Sequence, residues 1–129
     1  MSKVKLFRGL KLDLKPGERG IKTVPVVNAG LSKTFGAGIG TLQNCDLAWT
    51  VTYDEVLYVM SGTCAIKVGD KRYRMEPGDL IWLPKDTSLV YEAGPELCTF
   101  FYAVAPVTGS PSTSKTDAYP TVEPEKALV

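Results

Sequence analysis

The chain has 129 residues, the length of one domain, and 44% of them are hydrophobic, as in ordinary globular proteins. Its 15 Lys and Arg against 14 Asp and Glu give a net charge of +1, which excludes the basic footprint of a protein that binds nucleic acid or an anionic membrane. No apolar run approaches the about 20 residues that a membrane-spanning helix needs.

The N-terminal segment "MSKVKLFRGLKLDLKPG" has frequent lysines and no apolar core, so it does not predict a secretory signal. The three cysteines are Cys45, Cys64 and Cys98, an odd number with no Cys-x-x-Cys spacing. This pattern predicts reduced thiols and a cytoplasmic protein. Because Cys64 and Cys98 lie in apolar runs, we expect both to pack in the core.

Short runs rich in Val, Ile, Leu, Tyr and Phe, with period-two alternation, predict strands along most of the chain. The predicted strands lie near residues 4–8, 22–27, 32–42, 46–52, 55–61, 63–68, 71–75, 80–83, 88–93 and 97–104. Turns are expected at "VGDK" (68–71), "EPGD" (76–79) and "EAGPE" (92–96). No stretch has a helical period over twelve residues. Many short strands with closely spaced turns predict an all-β sandwich or barrel.

The composition changes after residue 106, where Ser, Thr, Pro and charged residues dominate. Such a segment cannot bury enough apolar surface to offset its ordering entropy, so residues 107–129 are predicted to form a flexible C-terminal arm. Residues 1–30 are interpreted as an N-terminal β extension that takes part in dimerisation, and residues 31–106 as the barrel. We expect a homodimer, because the N-terminal strand presents an unpaired edge unless it adds to another sheet.

The stretch from Trp49 to Pro106 resembles a cupin, a jelly-roll-like β-barrel. Glu55 and Gly62 keep the glutamate and glycine spacing of the first cupin motif, and "PGDLIWLPKDTSL" (77–89) keeps the frame of the second. The positions where cupins carry metal-binding histidines hold Trp49 and Val51, or Ala48 and Thr50 in a looser alignment, and Leu89. The resemblance therefore implies the barrel without its usual ligands.

A closer resemblance is to the cupin domain of the ethanolamine-utilisation protein Q family. It rests on "FGAGIGTL" (35–42), "WTVTYDEVLYVMSG" (49–62), "PGDLIWLPKDTSLVY" (77–91) and "FFYAVAP" (100–106). The Trp-Thr-x-x-Tyr-Asp-Glu motif is specific to that family rather than general to cupins. The resemblance implies ethanolamine catabolism, with an association to acetate kinase activity and bacterial microcompartments.

The chain contains no histidine, which is the usual protein ligand of Fe, Ni, Cu and Zn. No metal and no other cofactor is therefore expected. One alternative stays open: Mg²⁺ could be held by Glu55 and Asp54 with water molecules beneath a phosphate.

Glu55 is the candidate catalytic residue, since the resemblance places it at a position that faces the barrel interior. A carboxyl group among apolar side chains without a cation has a raised pKa and suits acid–base catalysis near neutral pH. Tyr91, near the last ligand position of cupins, is the second catalytic candidate and a hydrogen-bond donor to a substrate oxygen. The alternative is structural: Glu55 hydrogen-bonds to aromatic neighbours and holds the barrel mouth.

The other candidate site residues are assigned to substrate binding. Trp49, Tyr53 and Leu57 share the strand parity of Glu55, if one strand runs unbroken through Thr52, whereas the resemblance places Leu89 at the last ligand position and Tyr102 lies on the last strand. On the same parity Asp54 points away from the site, where it caps a turn or pairs with a nearby Lys, and Tyr58 packs on a sheet face. Trp82 is expected to pack between the sheets.

Two classes of function follow. The first is a metal-independent enzyme that moves a proton on a small carboxylic or carbonyl metabolite, as an isomerase, lyase or dehydratase does. The resemblance adds an acetate kinase associated with microcompartments as an alternative. The second class is a non-catalytic binding or assembly cupin.

Overall fold

The computed structural model describes residues 3–106 and 121–123. Apart from one short 3-10 turn at Gly9–Lys11, its regular structure is β. In chain order the strands are β1 (Leu6–Phe7), β2 (Ile21–Val27), β3 (Gly36–Leu42), β4 (Cys45–Thr50), β5 (Asp54–Ser61), β6 (Cys64–Val68), β7 (Lys71–Met75), β8 (Leu80–Leu83), β9 (Ser88–Ala93), β10 (Cys98–Ala105) and β11 (Thr121–Val122). Within the described residues, no helix is long and apolar enough to cross a membrane.

Two antiparallel sheets make up the body of the molecule. The five-stranded sheet has the order β2-β3-β10-β5-β8, and the four-stranded sheet has the order β4-β9-β6-β7. One core cluster combines side chains of both sheets, including Leu42, Leu57 and Phe100 from the first and Ile66 and Leu89 from the second. The sheets therefore pack face to face, and the prediction of an all-β cupin domain is confirmed.

Strand β5 shows how sequence alternation produces this packing. Leu57 and Val59 are fully buried, whereas Tyr58 and Met60 are 40% and 49% exposed. Successive side chains of a strand point to opposite faces, so one face of β5 enters the core and the other faces solvent. Cys64 and Cys98 are buried and form no disulfide, as expected.

The predicted turns are present. Gly69 has a φ of 61° in the two-residue loop between β6 and β7, where a primed turn requires a left-handed residue. Gly78 has a φ of 95°, and the Glu76 N–H donates to the Asp79 carboxylate across that turn at 2.8 Å. Asp54 caps a turn as expected, because its Oδ1 accepts the Lys85 backbone N–H at 2.9 Å.

The first large strand lies within the main sheet. Strand β2 pairs with β3 from Ile21↔Leu42 to Val27↔Ala37, so the sheet extends beyond the predicted boundary at residue 30. Pro25 lies where this register shifts, at the edge of the sheet, which is where a strand tolerates proline. Strand β3 begins at Gly36 rather than at residue 32, because Asn28 organises a turn in which its carbonyl accepts the Leu31 and Ser32 N–H groups.

Two other expectations need correction. Trp82 does not pack between the sheets: it is 56% exposed on the outer face of β8, while its neighbour Leu83 is buried. Thr121 and Val122, within the predicted flexible arm, form β11 and pair with β1. Apart from Glu123, the rest of the predicted arm lies outside the described residues.

Candidate functional site

A cavity of about 560 Å³ lies between the two sheets, on the side formed by β2, β3 and β4. Strands β5, β9 and β10 and the connections after β2 and β4 complete its wall. Most of the lining residues are apolar or aromatic. The ionisable side chains among the described lining residues are Glu55 and three tyrosines, Tyr53, Tyr91 and Tyr102.

The connection between β4 and β5 carries the chain from one sheet to the other. Strand β4 belongs to the four-stranded sheet and β5 to the five-stranded sheet, and residues 51–53 cross between them. The Val51 N–H donates to the Thr87 carbonyl at 3.0 Å, and the Asp86 N–H donates to the Val51 carbonyl at 2.8 Å. These bonds fix the crossing, so Trp49 on β4 and Glu55 on β5 line the cavity from opposite sheets.

This crossing corrects the expectation from strand parity. That expectation requires an unbroken strand through Thr52, and the strand is interrupted there. Trp49, Tyr53 and Glu55 still line one cavity, because the inner faces of the two sheets face each other. These three residues thus come together through the packing of the two sheets and not through the parity of one strand.

Glu55 lies at the start of β5, between Val104 of β10 and Leu83 of β8 in the sheet register. It is largely buried, and burial raises its carboxyl pKa to about 7. Desolvation disfavours the charged form, and no Lys or Arg lies among the described lining residues to offset it. At neutral pH the side chain is thus divided between its acid and base forms.

Tyr91 lies on β9 with only 6% of its surface exposed. Burial raises the pKa of its phenol, and the charges of Glu55, Cys45 and Cys64 raise it further. Tyr91 therefore remains protonated at physiological pH and can donate its O–H to a ligand. Tyr91 and Glu55 line the same cavity, from β9 and from β5.

The glycines of "FGAGIG" make room for two rings on β10. Gly40 and Gly38 pair with Phe100 and Tyr102 in the register. A Cβ on Gly40 would overlap the Phe100 ring, and a Cβ on Gly38 would lie 2.8 Å from the Tyr102 Oη. The rings therefore lie directly over the β3 backbone, with centroids 6.2 Å apart and planes tilted by 51°.

Leu57 and Leu89 occupy other positions than expected. Both are buried in the hydrophobic core and neither is among the cavity-lining residues. Leu57 and Leu89 lie on the same inward faces of β5 and β9 as Glu55 and Tyr91, but other core side chains surround them. Five of the seven predicted site residues thus surround the cavity, namely Trp49, Tyr53, Glu55, Tyr91 and Tyr102, while these two lie in the core.

Strand β2 supplies lining residues that the sequence interpretation did not assign to the site. Ile21, Thr23, Pro25 and Val27 line the cavity, as does Asn28 in the following turn. Their alternate spacing was a usable signal, since residues two apart on a strand share a face. The sequence interpretation placed residues 1–30 outside the barrel, and for that reason it did not assign these β2 residues to the site.

The chemistry open to this cavity follows from its donor set. The described residues contain no group of three or more His, Cys, Asp or Glu side chains placed to hold a metal ion. The cavity instead offers one carboxyl group that titrates near neutrality, phenol hydroxyl groups and apolar walls. Such a set can bind a small organic molecule and exchange a proton with it.

Similar proteins were found by sequence and by structure. The protein named acetate kinase EutQ from Clostridioides difficile strain 630 is 29% identical over 75 residues, which are 58% of this chain and 47% of that protein. This chain thus spans about half the length of that curated relative. The solved EutQ protein of Clostridium difficile is 25% identical, with a TM-score of 0.66, and the match covers 82% of this chain and 83% of the other.

A solved protein described as a putative ethanolamine utilization protein Q from Salmonella typhimurium has the same fold. It is 18% identical, with a TM-score of 0.65, over 80% of this chain and 93% of its own. The family model for ethanolamine utilisation protein EutQ matches residues 1–110. Because that match covers most of the sequence, the chain belongs to the EutQ family.

Proposed function

We propose that the protein is a metal-independent enzyme in which Glu55 transfers a proton to or from a small carbonyl or carboxylic metabolite bound in the cavity. The observation that carries the proposal is the largely buried Glu55 carboxyl, whose pKa is about 7, at the wall of a 560 Å³ cavity. A general acid or base works best when its pKa lies near the working pH.

The neighbouring groups support this assignment. Tyr91 retains its proton and can donate a hydrogen bond to a substrate oxygen, which would stabilise an enolate as the carbon loses its proton. A neutral carbonyl compound suits the site at all pH values. A carboxylate ligand requires protonated Glu55, since no cation among the described lining residues would offset two negative charges.

Exchange of substrate C–H hydrogens with solvent tests the proposal, and the test does not require the metabolic pathway to be known. Proton abstraction next to a carbonyl replaces C–H by C–D in D₂O, and proton NMR detects the loss of signal across a panel of small aldehydes, ketones and 2-oxo acids. Glu55→Gln keeps the shape but cannot exchange a proton, so it should slow exchange by about a hundredfold or more. Glu96→Gln, at an exposed position, is the control and should leave the rate unchanged.

The structural alternative predicts a different result. If Glu55 only holds the cavity wall, Glu55→Gln lowers the melting temperature and leaves exchange unchanged. If the protein does not accelerate exchange of any compound in the panel, that result would also contradict the proposal. It would favour the non-catalytic binding or assembly role.

Phosphoryl transfer to acetate is a second candidate, because the curated relative is named an acetate kinase. Kinases stabilise phosphate charge with Lys, Arg or Mg²⁺. The arginines Arg72 and Arg74 instead line a separate depression of about 330 Å³ that also contains Glu92, and Arg72 Nε lies 2.7 Å from the Glu92 carboxylate. Formation of acetyl phosphate from ATP and acetate, unaffected by Glu55→Gln, would favour this candidate over ours.

The expected homodimer also remains a proposal. Strands β1 and β11 form a separate two-stranded sheet, and each has an edge that no described residue pairs. Pairing with a second copy would cover such an edge. Light scattering at micromolar concentration should give twice the mass of one chain, and a monomer would contradict the proposal.

A further inference from the structure

The walls of the cavity differ from those of a pocket that accepts anions. Trp49, Tyr53, Tyr91, Phe100 and Tyr102 all line it, together with the single carboxyl of Glu55. Aromatic faces carry negative partial charge and attract cations. The charged partner that an anion would require is not found among the described lining residues.

We infer that this cavity selects small organic cations, with an ammonium group held between the Glu55 carboxylate and the surrounding aromatic side chains. The inference rests on the proposed function, because both take this cavity as the place where the ligand binds. It narrows the substrate to a carbonyl compound or related metabolite that carries an amino or quaternary ammonium group. The apolar residues Ile21, Val27 and Val104 would contact its methyl or methylene groups.

The geometry of the mouth supports this selection. Trp49 lines the cavity and is 56% exposed, so it lies where an entering ligand leaves water. Trp binds cations most strongly of the three aromatic side chains, by cation–π attraction. Tyr91 and Tyr102 are almost fully buried and lie deeper in the cavity. A cation would therefore meet attractive groups at the entrance and in the interior.

Binding of a cation should be coupled to the ionisation of Glu55. The titratable groups that line the cavity with Glu55 are Tyr53, Tyr91 on β9 and Tyr102 on β10, and no described Lys, Arg or Asp side chain joins them. An ammonium ion favours the carboxylate form, so binding releases a proton from the acid form. The bound protein thus holds Glu55 in the form that abstracts a proton.

Choline and its neutral isostere 3,3-dimethylbutan-1-ol test the inference by calorimetry, because they have almost the same shape and differ in charge. Choline should bind at least tenfold more tightly than the alcohol at about pH 8, a preference that combines the carboxylate with the aromatic faces. From about pH 5.5 to about pH 8 its affinity should rise by up to roughly thirtyfold, which is the increase in the ionised fraction of a group with a pKa of about 7. The alcohol should show no such rise.

Two variants separate the contributions. Glu55→Gln should abolish the pH dependence of choline binding and most of the preference over the alcohol. Trp49→Leu should weaken choline more than the alcohol. Trp82→Leu is the matched control, since Trp82 is equally exposed but lies on the outer face, and it should change neither affinity.

Equal affinity for the two compounds, or binding of neither, overturns the inference. If Glu55→Gln does not fold, the pH profile of the unmodified protein decides: a flat profile for choline overturns it. Glu55-dependent hydrogen exchange without cation preference would overturn this inference alone. Cation preference without Glu55-dependent exchange would overturn the proposed function alone.

Discussion

The two sides of the space between the sheets are built from the same strand alternation but have different contents. On the closed side, toward β6 and β8, Leu57, Val59, Ile66 and Leu83 pack in the core and are at most 2% exposed. On the cavity side, toward β2, β3 and β4, aromatic rings and Glu55 surround about 560 Å³ of open space. The close packing that stabilises the fold is therefore concentrated on the closed side. The cavity side contributes less to packing and has room for a ligand and for polar groups that act on it.

The largest expected effect tests the closed side. Leu57→Ala removes a fully buried side chain and should lower the free energy of unfolding by about 2–5 kcal/mol, measured in denaturant. Met60→Ala is the control on the same strand, since Met60 is 49% exposed, and its effect should be below about 1 kcal/mol. Equal effects at both positions would show that the packing difference does not determine stability.

Ionisation of Glu55 should have the next largest effect on stability. Its pKa is raised from 4.5 to about 7 in the folded protein, so between these values the folded state holds the proton more tightly than the unfolded state. Stability therefore falls as the pH rises through this range, by at most about 3 kcal/mol, and then levels off. Subtracting the profile of Glu55→Gln, which has no carboxyl to ionise, isolates this loss. A difference that is independent of pH would contradict the burial of an uncompensated carboxyl.

The contact between β3 and Phe100 predicts a smaller loss. Gly40→Ala places a Cβ against the Phe100 ring, which is 2% exposed and cannot move aside easily, so stability should fall by about 1–3 kcal/mol. Gly94→Ala is the control, because a Cβ there meets no atom within 4 Å. Thermal unfolding of both variants makes the comparison, and an unchanged Gly40→Ala protein would contradict the close approach of the ring.

The smallest expected effect concerns a single hydrogen bond. Tyr91→Phe removes the phenol that we assign to a substrate oxygen, so binding of an exchanging carbonyl compound should weaken by about 1–1.5 kcal/mol, or roughly tenfold. Tyr58→Phe, on the outer face, should have no effect. Equal affinity of the Tyr91→Phe variant and the unmodified protein would remove Tyr91 from the site.

The sequence predicted the fold well because its signals are local. Alternating β-branched and aromatic residues place most strands to within a few residues, and glycine at 69 and 78 marks turns that need positive φ. The resemblance to the cupin motifs then indicated which type of β-barrel these strands form. Strand β11 was missed because two residues in a polar segment carry no periodic pattern, and their pairing with β1 depends on contacts far apart in sequence.

The site was predicted only in part, because a cavity depends on which sheets face each other. Parity showed that Leu57 and Glu55 share a face, but not that only Glu55 borders the open space. Trp82 illustrates the same difficulty: a tryptophan in a strand can face the core or solvent, and composition does not distinguish the two. The role of β2 was missed for a similar reason, since its pairing with β3 depends on the tertiary structure and not on local sequence.

The ionisation of Glu55 is the property on which the proposed chemistry depends, and NMR can follow its side-chain carboxyl carbon directly. Titration of carbon-labelled protein, with Glu55→Gln used to assign the resonance, should give a midpoint at about pH 7. That result would place an acid–base group of suitable pKa in the cavity. A midpoint near 4.5, the ordinary value for a solvated glutamate, would contradict the account, because Glu55 would then be a fixed anion with little capacity to exchange protons at neutral pH.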